Sequence, residues 1–89
     1  MAIYLIGFER RGTRPYDGLQ EAIDREGGVH VIDNMWALES AREAAELRDW
    51  VHQLMDDSDA IFIMQVKKDH HWASRHLKTS VNDWLKARL

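Results

Sequence analysis

Ile3-Tyr4-Leu5-Ile6-Gly7-Phe8-Glu9, followed at once by Arg10-Arg11-Gly12, is the stretch on which the fold turns. The run is apolar, rich in β-branched and aromatic residues, and has no helix cap. It reads as a strand buried on both faces, at the centre of a sheet. Its end sets an acid beside two arginines at the sheet's carboxyl edge. In open α/β sheets that edge is where ligands often bind.

Working outward, Arg10 to Arg14 is a loop around Gly12 and Thr13. Pro15, the single proline, suits the first turn of a helix, with Thr13 or Arg14 near the cap. Tyr16, Leu19, Ala22 and Ile23 recur at helical spacing through Glu26, and Gly27-Gly28 ends the helix. Val29-His30-Val31-Ile32 is a second strand. Asp33-Asn34 forms a tight turn, and Met35-Trp36-Ala37-Leu38-Glu39 completes a hairpin. Ser40-Ala41-Arg42-Glu43 fits a capping box, with Ser40 capping and Glu43 reaching back. The helix that follows carries Ala44, Leu47, Trp50 or Val51, Leu54 and Met55 on one face. Asp56-Asp57-Ser58-Asp59 breaks it and reads as a solvated turn, since it lacks the glycine and distal glutamate of a calcium loop. Ala60 to Val66 is a fourth, nearly all-apolar strand. Lys67 to His71 is polar, and Leu77, Val81, Trp84 and Leu85 place a last helix over 74–88.

The order β-α-β-β-α-β with an added C-terminal helix is the ferredoxin-like pattern of the α+β class. In that topology strand one is central, and the shorter hairpin strands fit less protected positions.

Eighty-nine residues make one domain, whose limited core gains from dimerisation. Charged residues are 30% and apolar residues 45%, a globular balance. With no cysteine, disulfides and thiolate metal sites are excluded, which fits a reducing, cytoplasmic setting. No apolar stretch approaches ~20 residues, so no membrane span is expected. The N-terminus lacks the pattern of a signal peptide. A net charge of −3 does not favour a broad nucleic-acid footprint, though it leaves room for local basic patches.

The residues able to carry chemistry admit two readings each. Glu9 can bind a divalent ion such as magnesium through oxygen, or it is a solvated acid paired with Arg10 or Arg11. Asp33 shares its edge of the sheet but starts about 10 Å away, one strand lying between, so a second Glu9 from a symmetric partner is the better route to paired carboxylates. Arg10, Arg11 and Arg14 can fork onto nucleic-acid phosphates, or they are neutralised by Glu9, Asp17 and Glu21. His70, His71 and His76 lack the spacing of a helical metal pair and read as a surface cluster, with general-base duty as the next option. His30 is placed on the solvent face of its strand, and His52 half-exposed on the second helix. Trp36, Trp50 and Trp84 fall on apolar stripes and read as core. Trp72, in a polar stretch, covers the sheet edge or meets a partner subunit, where tryptophan is enriched. Stacking on a base is the weaker choice at this pI.

Tyr4 to Glu9, the hairpin with Trp36, the segment Ala44-Ala45-Glu46-Leu47-Arg48, the strand Asp59 to Ile63, and the late Trp72 and Trp84-Leu85 together resemble a family. It comprises small bacterial proteins related to the second CRISPR-associated protein and to virulence-associated protein D, the SinR-family proteins. The resemblance spans nearly the whole chain. It implies a ferredoxin-like homodimer. Some members are metal-dependent endonucleases that use an aspartate at the end of strand one, paired across the dimer axis. Others are structural partners of an integrase, or ribonuclease toxins. Glu9 falls at the aspartate's position, one methylene longer, so magnesium or manganese is the implied ion. Arg10 and Arg11 fall where a nucleic-acid backbone would be met. Two functions follow as expectations. One is a non-catalytic or weakly active assembly module in a defence or toxin–antitoxin setting, with a protein partner. The other is an endonuclease acting on RNA or DNA through Glu9.

Overall fold

In the computed structural model, which describes residues 1–89, the opening run forms β1 (Ala2–Glu9). It is followed by α1 (Asp17–Arg25), β2 (Val29–Ile32), β3 (Met35–Ser40), α2 (Ala44–His52), β4 (Ala60–Val66) and α3 (Thr79–Arg88). The strands make one four-stranded sheet in the order β2-β3-β1-β4. Every neighbouring pair is antiparallel. Consequently β1 and β2 run parallel with β3 between them, and β3 and β4 run parallel with β1 between them. The molecule is a small α+β domain, and β1 is central as expected.

Strand alternation divides the sheet into two unequal faces. Tyr4, Ile6 and Phe8 of β1 pair with Leu38, Trp36, Ile63 and Ile61 of its neighbours. With Leu19 and Ile23 from α1 and Leu47, Val51 and Met55 from α2 and the turn after it, they form the main core. Each fully buried aliphatic side chain contributes roughly 1.5–3 kcal/mol. On the opposite face α3 lays Val81 and Leu85 against Ala37, flanked by Leu5, Val29 and Val31. α3 packs toward β2, so it shelters only part of that face. Leu5 and Gly7 are half-buried, and β1 is therefore sealed on one face and half-open on the other.

The protected and unprotected strands are not those the composition suggests. β3 is interior, with Trp36, Ala37 and Leu38 all buried. β4, the more apolar strand, is an edge, and Phe62 is 68% and Met64 46% exposed. Their alternation with Ile61 and Ile63 turns Phe62 and Met64 toward the face that α3 leaves open.

Three helix boundaries differ from expectation, two of them for a local reason. α1 starts at Asp17 after Tyr16, two residues beyond Pro15. Ser40 cannot cap α2, because it is still paired with Ala2 in the sheet. Its hydroxyl accepts the Arg42 amide at 3.1 Å, and the capping box is formed by Glu43 and Glu46 instead. α3 begins at Thr79 rather than 74, because His76 has φ 64, in the left-handed region. Gly27, at φ 81, ends α1 as expected.

Candidate functional site at the carboxyl edge of the sheet

β1 delivers Glu9 to the edge of the sheet, and the Arg10–Pro15 loop leaves from there. The Glu9 carboxylate accepts from Arg11 Nε at 2.8 Å, both side chains being well exposed. An exposed pair of this kind adds little stability, about 0–1 kcal/mol. Arg10 turns back on its own loop. Its guanidinium donates to the Thr13 carbonyl at 3.1 Å and lies 5.0 Å from the centroid of the Tyr16 ring. Arg14 reaches across to the end of α2 and donates to the carbonyls of Gln53 (3.0 Å) and Met55 (3.1 Å). A cation there satisfies carbonyls that a helix end leaves without intrahelical partners. Each arginine of the basic loop thus has a partner within the chain.

The loop is held from the other side by two acids. Asp59 Oδ1 accepts the backbone N–H of Arg11 at 2.7 Å and that of Gly12 at 2.9 Å, while Oδ2 accepts from Asp56 N at 3.2 Å. Asp56 in turn accepts the backbone N–H of Arg14. Asp59 is only 8% exposed. The Asp56–Asp59 run is therefore a clamp on the basic loop, and its expected reading as a solvated turn is corrected at Asp56 and Asp59. Nothing in the sequence points from Asp59 to amides 47 and 48 positions away. Gly12 is the counterpart of this close approach, since a Cβ there would lie 2.1 Å from Asp56 Oδ2.

The electrostatics follow from these contacts. The amides of Gly12, Arg11 and Asp56 hold the Asp59 carboxyl below its ordinary range, with Arg10 adding to the effect. Burial, with Asp59 and Asp56 close by, pushes the Tyr16 phenol up. The Tyr16 hydroxyl is buried without a hydrogen-bond partner, beneath Arg10 and edge-on to Phe8 at 4.6 Å.

Glu9 shares its face of the sheet with the exposed apolar residues. β1 pairs Gly7 with Phe62 and Glu9 with Ala60, so the acid borders the open strip of β4. A shallow cleft lined by Gly7, Glu9, Ala60 and Phe62 marks the place. Asp33 lies in the turn between β2 and β3, at the same edge and two strands from Glu9. No group of three or more His, Asp or Glu side chains within one chain is arranged to hold a metal ion.

The other sequence candidates fall elsewhere. His70, His71 and His76 are exposed. His30 is exposed, on the edge strand β2. It stacks on Trp36 at 4.3 Å, on the side that α1 and α2 cover, because its strand pairs His30 with Trp36. His52 is exposed and meets Asp57 at 3.1 Å. Trp36 is core. Trp50 and Trp84 are half-buried under Arg42 and Arg88, at 4.4 and 4.1 Å from their ring centroids. Trp72 is 38% exposed and lines a cavity with Leu5, Ile32 and Met35, to which β4 contributes no residue.

No helix is long and apolar enough to cross a membrane. No family model matches the chain, and no solved structure matches it.

Proposed function

We propose that the chain is a homodimeric ferredoxin-like protein of the CRISPR-associated or toxin-like type. It acts as a non-catalytic or weakly active assembly module associated with nucleic acid. The observation that carries this reading is the open strip of β4. Phe62 and Met64 stand exposed on an edge strand, where a monomer would ordinarily place polar residues. A second copy laid against this strip buries them and brings two Glu9 side chains toward one axis. The ferredoxin-like assignment is supported by the element order and by the two crossovers, each joining parallel strands around one intervening strand. The non-catalytic emphasis is supported by the Glu9–Arg11 pair and by the intrachain duties of Arg10 and Arg14.

A second reading draws on the position of Glu9 beside the same strip. In a dimer, two such carboxylates could bind magnesium or manganese and activate water for cleavage of RNA or DNA, with Arg10 and Arg11 holding the strand.

Sedimentation velocity on the purified chain, with labelled RNA and DNA incubated with and without magnesium, tests both. The assembly reading expects a dimer that binds nucleic acid and leaves it intact or nearly so. Phe62→Glu with Met64→Glu should return it to a monomer. Strong magnesium-dependent cleavage that disappears in Glu9→Gln replaces the first reading with the second. A chain that stays monomeric at high concentration removes both.

A further inference from the structure

The segment between β4 and α3 crosses the sheet toward β2 and borders two adjoining open pockets of about 330 and 460 Å³. They share Val31, Ile32, Arg75 and Leu77 as common walls. The first is predominantly apolar, and the half-exposed Trp72 ring stands over it beside Leu5, Ile32 and Met35. The second is mixed, adding His30, Asp33, Arg75, His76 and Lys78 to the shared apolar walls. Neither Arg75 nor Lys78 is in an ion pair. Arg75 Nε donates to His76 Nε2 at 3.1 Å, which orients the guanidinium while leaving its two terminal nitrogens free. Asp33 is the only carboxylate on the lining, so the cations outnumber it.

An apolar pocket with an aromatic wall, joined to a pocket with unpaired cations, suits a ligand with a flat ring at one end and an anion at the other. We propose that this double pocket binds a nucleotide, its base against Trp72 and its phosphate on Arg75 and Lys78. Stacking on tryptophan accepts any base, and an arginine fork matches phosphate oxygens. The free nucleotide and an unpaired nucleotide within a strand present this same chemistry. The site is formed by one chain and does not depend on pairing through β4.

The test is titration of the full chain with AMP and GMP, followed by calorimetry and tryptophan fluorescence. Adenosine and inorganic phosphate serve as half-ligands, and a short single-stranded RNA is the second arm. Saturable binding at submillimolar concentration is expected, with each half-ligand weaker by about tenfold or more. Trp72→Ala should weaken binding by about fivefold or more. Arg75→Ala with Lys78→Ala should weaken it by about tenfold and flatten its salt dependence. All three side chains are exposed, so unchanged thermal melts are expected and confirm that the variants fold. Binding of the RNA alone, with the same sensitivity to these substitutions, assigns the site to a nucleotide within a strand. Absence of saturable binding by either mononucleotide or the RNA overturns the proposal, as does binding that the substitutions leave unchanged.

Discussion

Asp59 organises the basic loop through a carboxylate that accepts three backbone amides. Because those amides depress its folded pKa below the ordinary 3.8, the clamp's contribution is present above that value. It is lost as pH falls through the lower folded value. Glu26, held down by its hydrogen bond to Arg42, contributes in the same direction. Thermal melts should therefore lose Tm as pH drops from about 5 to about 3, and the loss should be shallower in Asp59→Asn. Asp59→Ala leaves three amides without their acceptor. It should lower the wild-type Tm at neutral pH by roughly 5 °C or more, read by calorimetry. Gly12→Ala should loosen the same loop, because its Cβ forces the Asp56 carboxylate away from the Arg14 amide. Limited tryptic proteolysis after Arg10 or Arg11 would register that. These contacts were not legible in the sequence. The Asp56–Asp59 run was visible, but its partners sit on another element and meet it only once β1 and β4 pair.

At the scale of elements, the connections carry more than their composition suggests. Arg14 acts as the C-terminal cap of a helix 39 and 41 residues further on. Arg14→Ala should cost about 1 kcal/mol in chemical denaturation, and a variant with unchanged stability would show that the two carbonyls find water instead. Gly28 admits no side chain. A Cβ there would stand 2.7 Å from the Ala37 carbonyl and 2.6 Å from Ile23 Cγ2. Gly28→Ala must therefore part α1 from β3, and a loss of about 2 kcal/mol or more is expected. The helix ends show why boundaries are harder to read than elements. Ser40-Ala41-Arg42-Glu43 has the letters of a capping box, yet pairing with Ala2 keeps Ser40 in the strand. The next box, Glu43 with Glu46, does the capping.

For the whole molecule, the unequal covering of the sheet is the governing feature. Ile6 sits at the crossing of β3, β1 and β4 and is fully buried. Ile6→Ala should cost about 2–5 kcal/mol, a large share of the stability of so short a chain. Phe62→Ala removes a ring that is mostly exposed, so it should leave the monomer's stability within about 0.5 kcal/mol. Denaturant titration of both variants side by side checks this contrast. If Phe62→Ala were as damaging as Ile6→Ala at low protein concentration, the ring would be buried within the monomer and the strip would not be open.

What the sequence determined by itself was the set of elements, their order and the centrality of β1. Apolar periodicity, glycine stops and the Asp33-Asn34 turn are local signals, and they act along the chain in the order in which it is written. The tertiary structure alone decided which apolar strand is protected and what each charged group faces. An edge strand and a buried strand can carry the same residues. Exposure depends on how far α3 extends over the sheet, and β4 lies beyond it. Likewise an aspartate's role depends on which amides the fold brings within hydrogen-bonding distance, and Asp59 meets those of Arg11 and Gly12 only across the closed edge of the sheet.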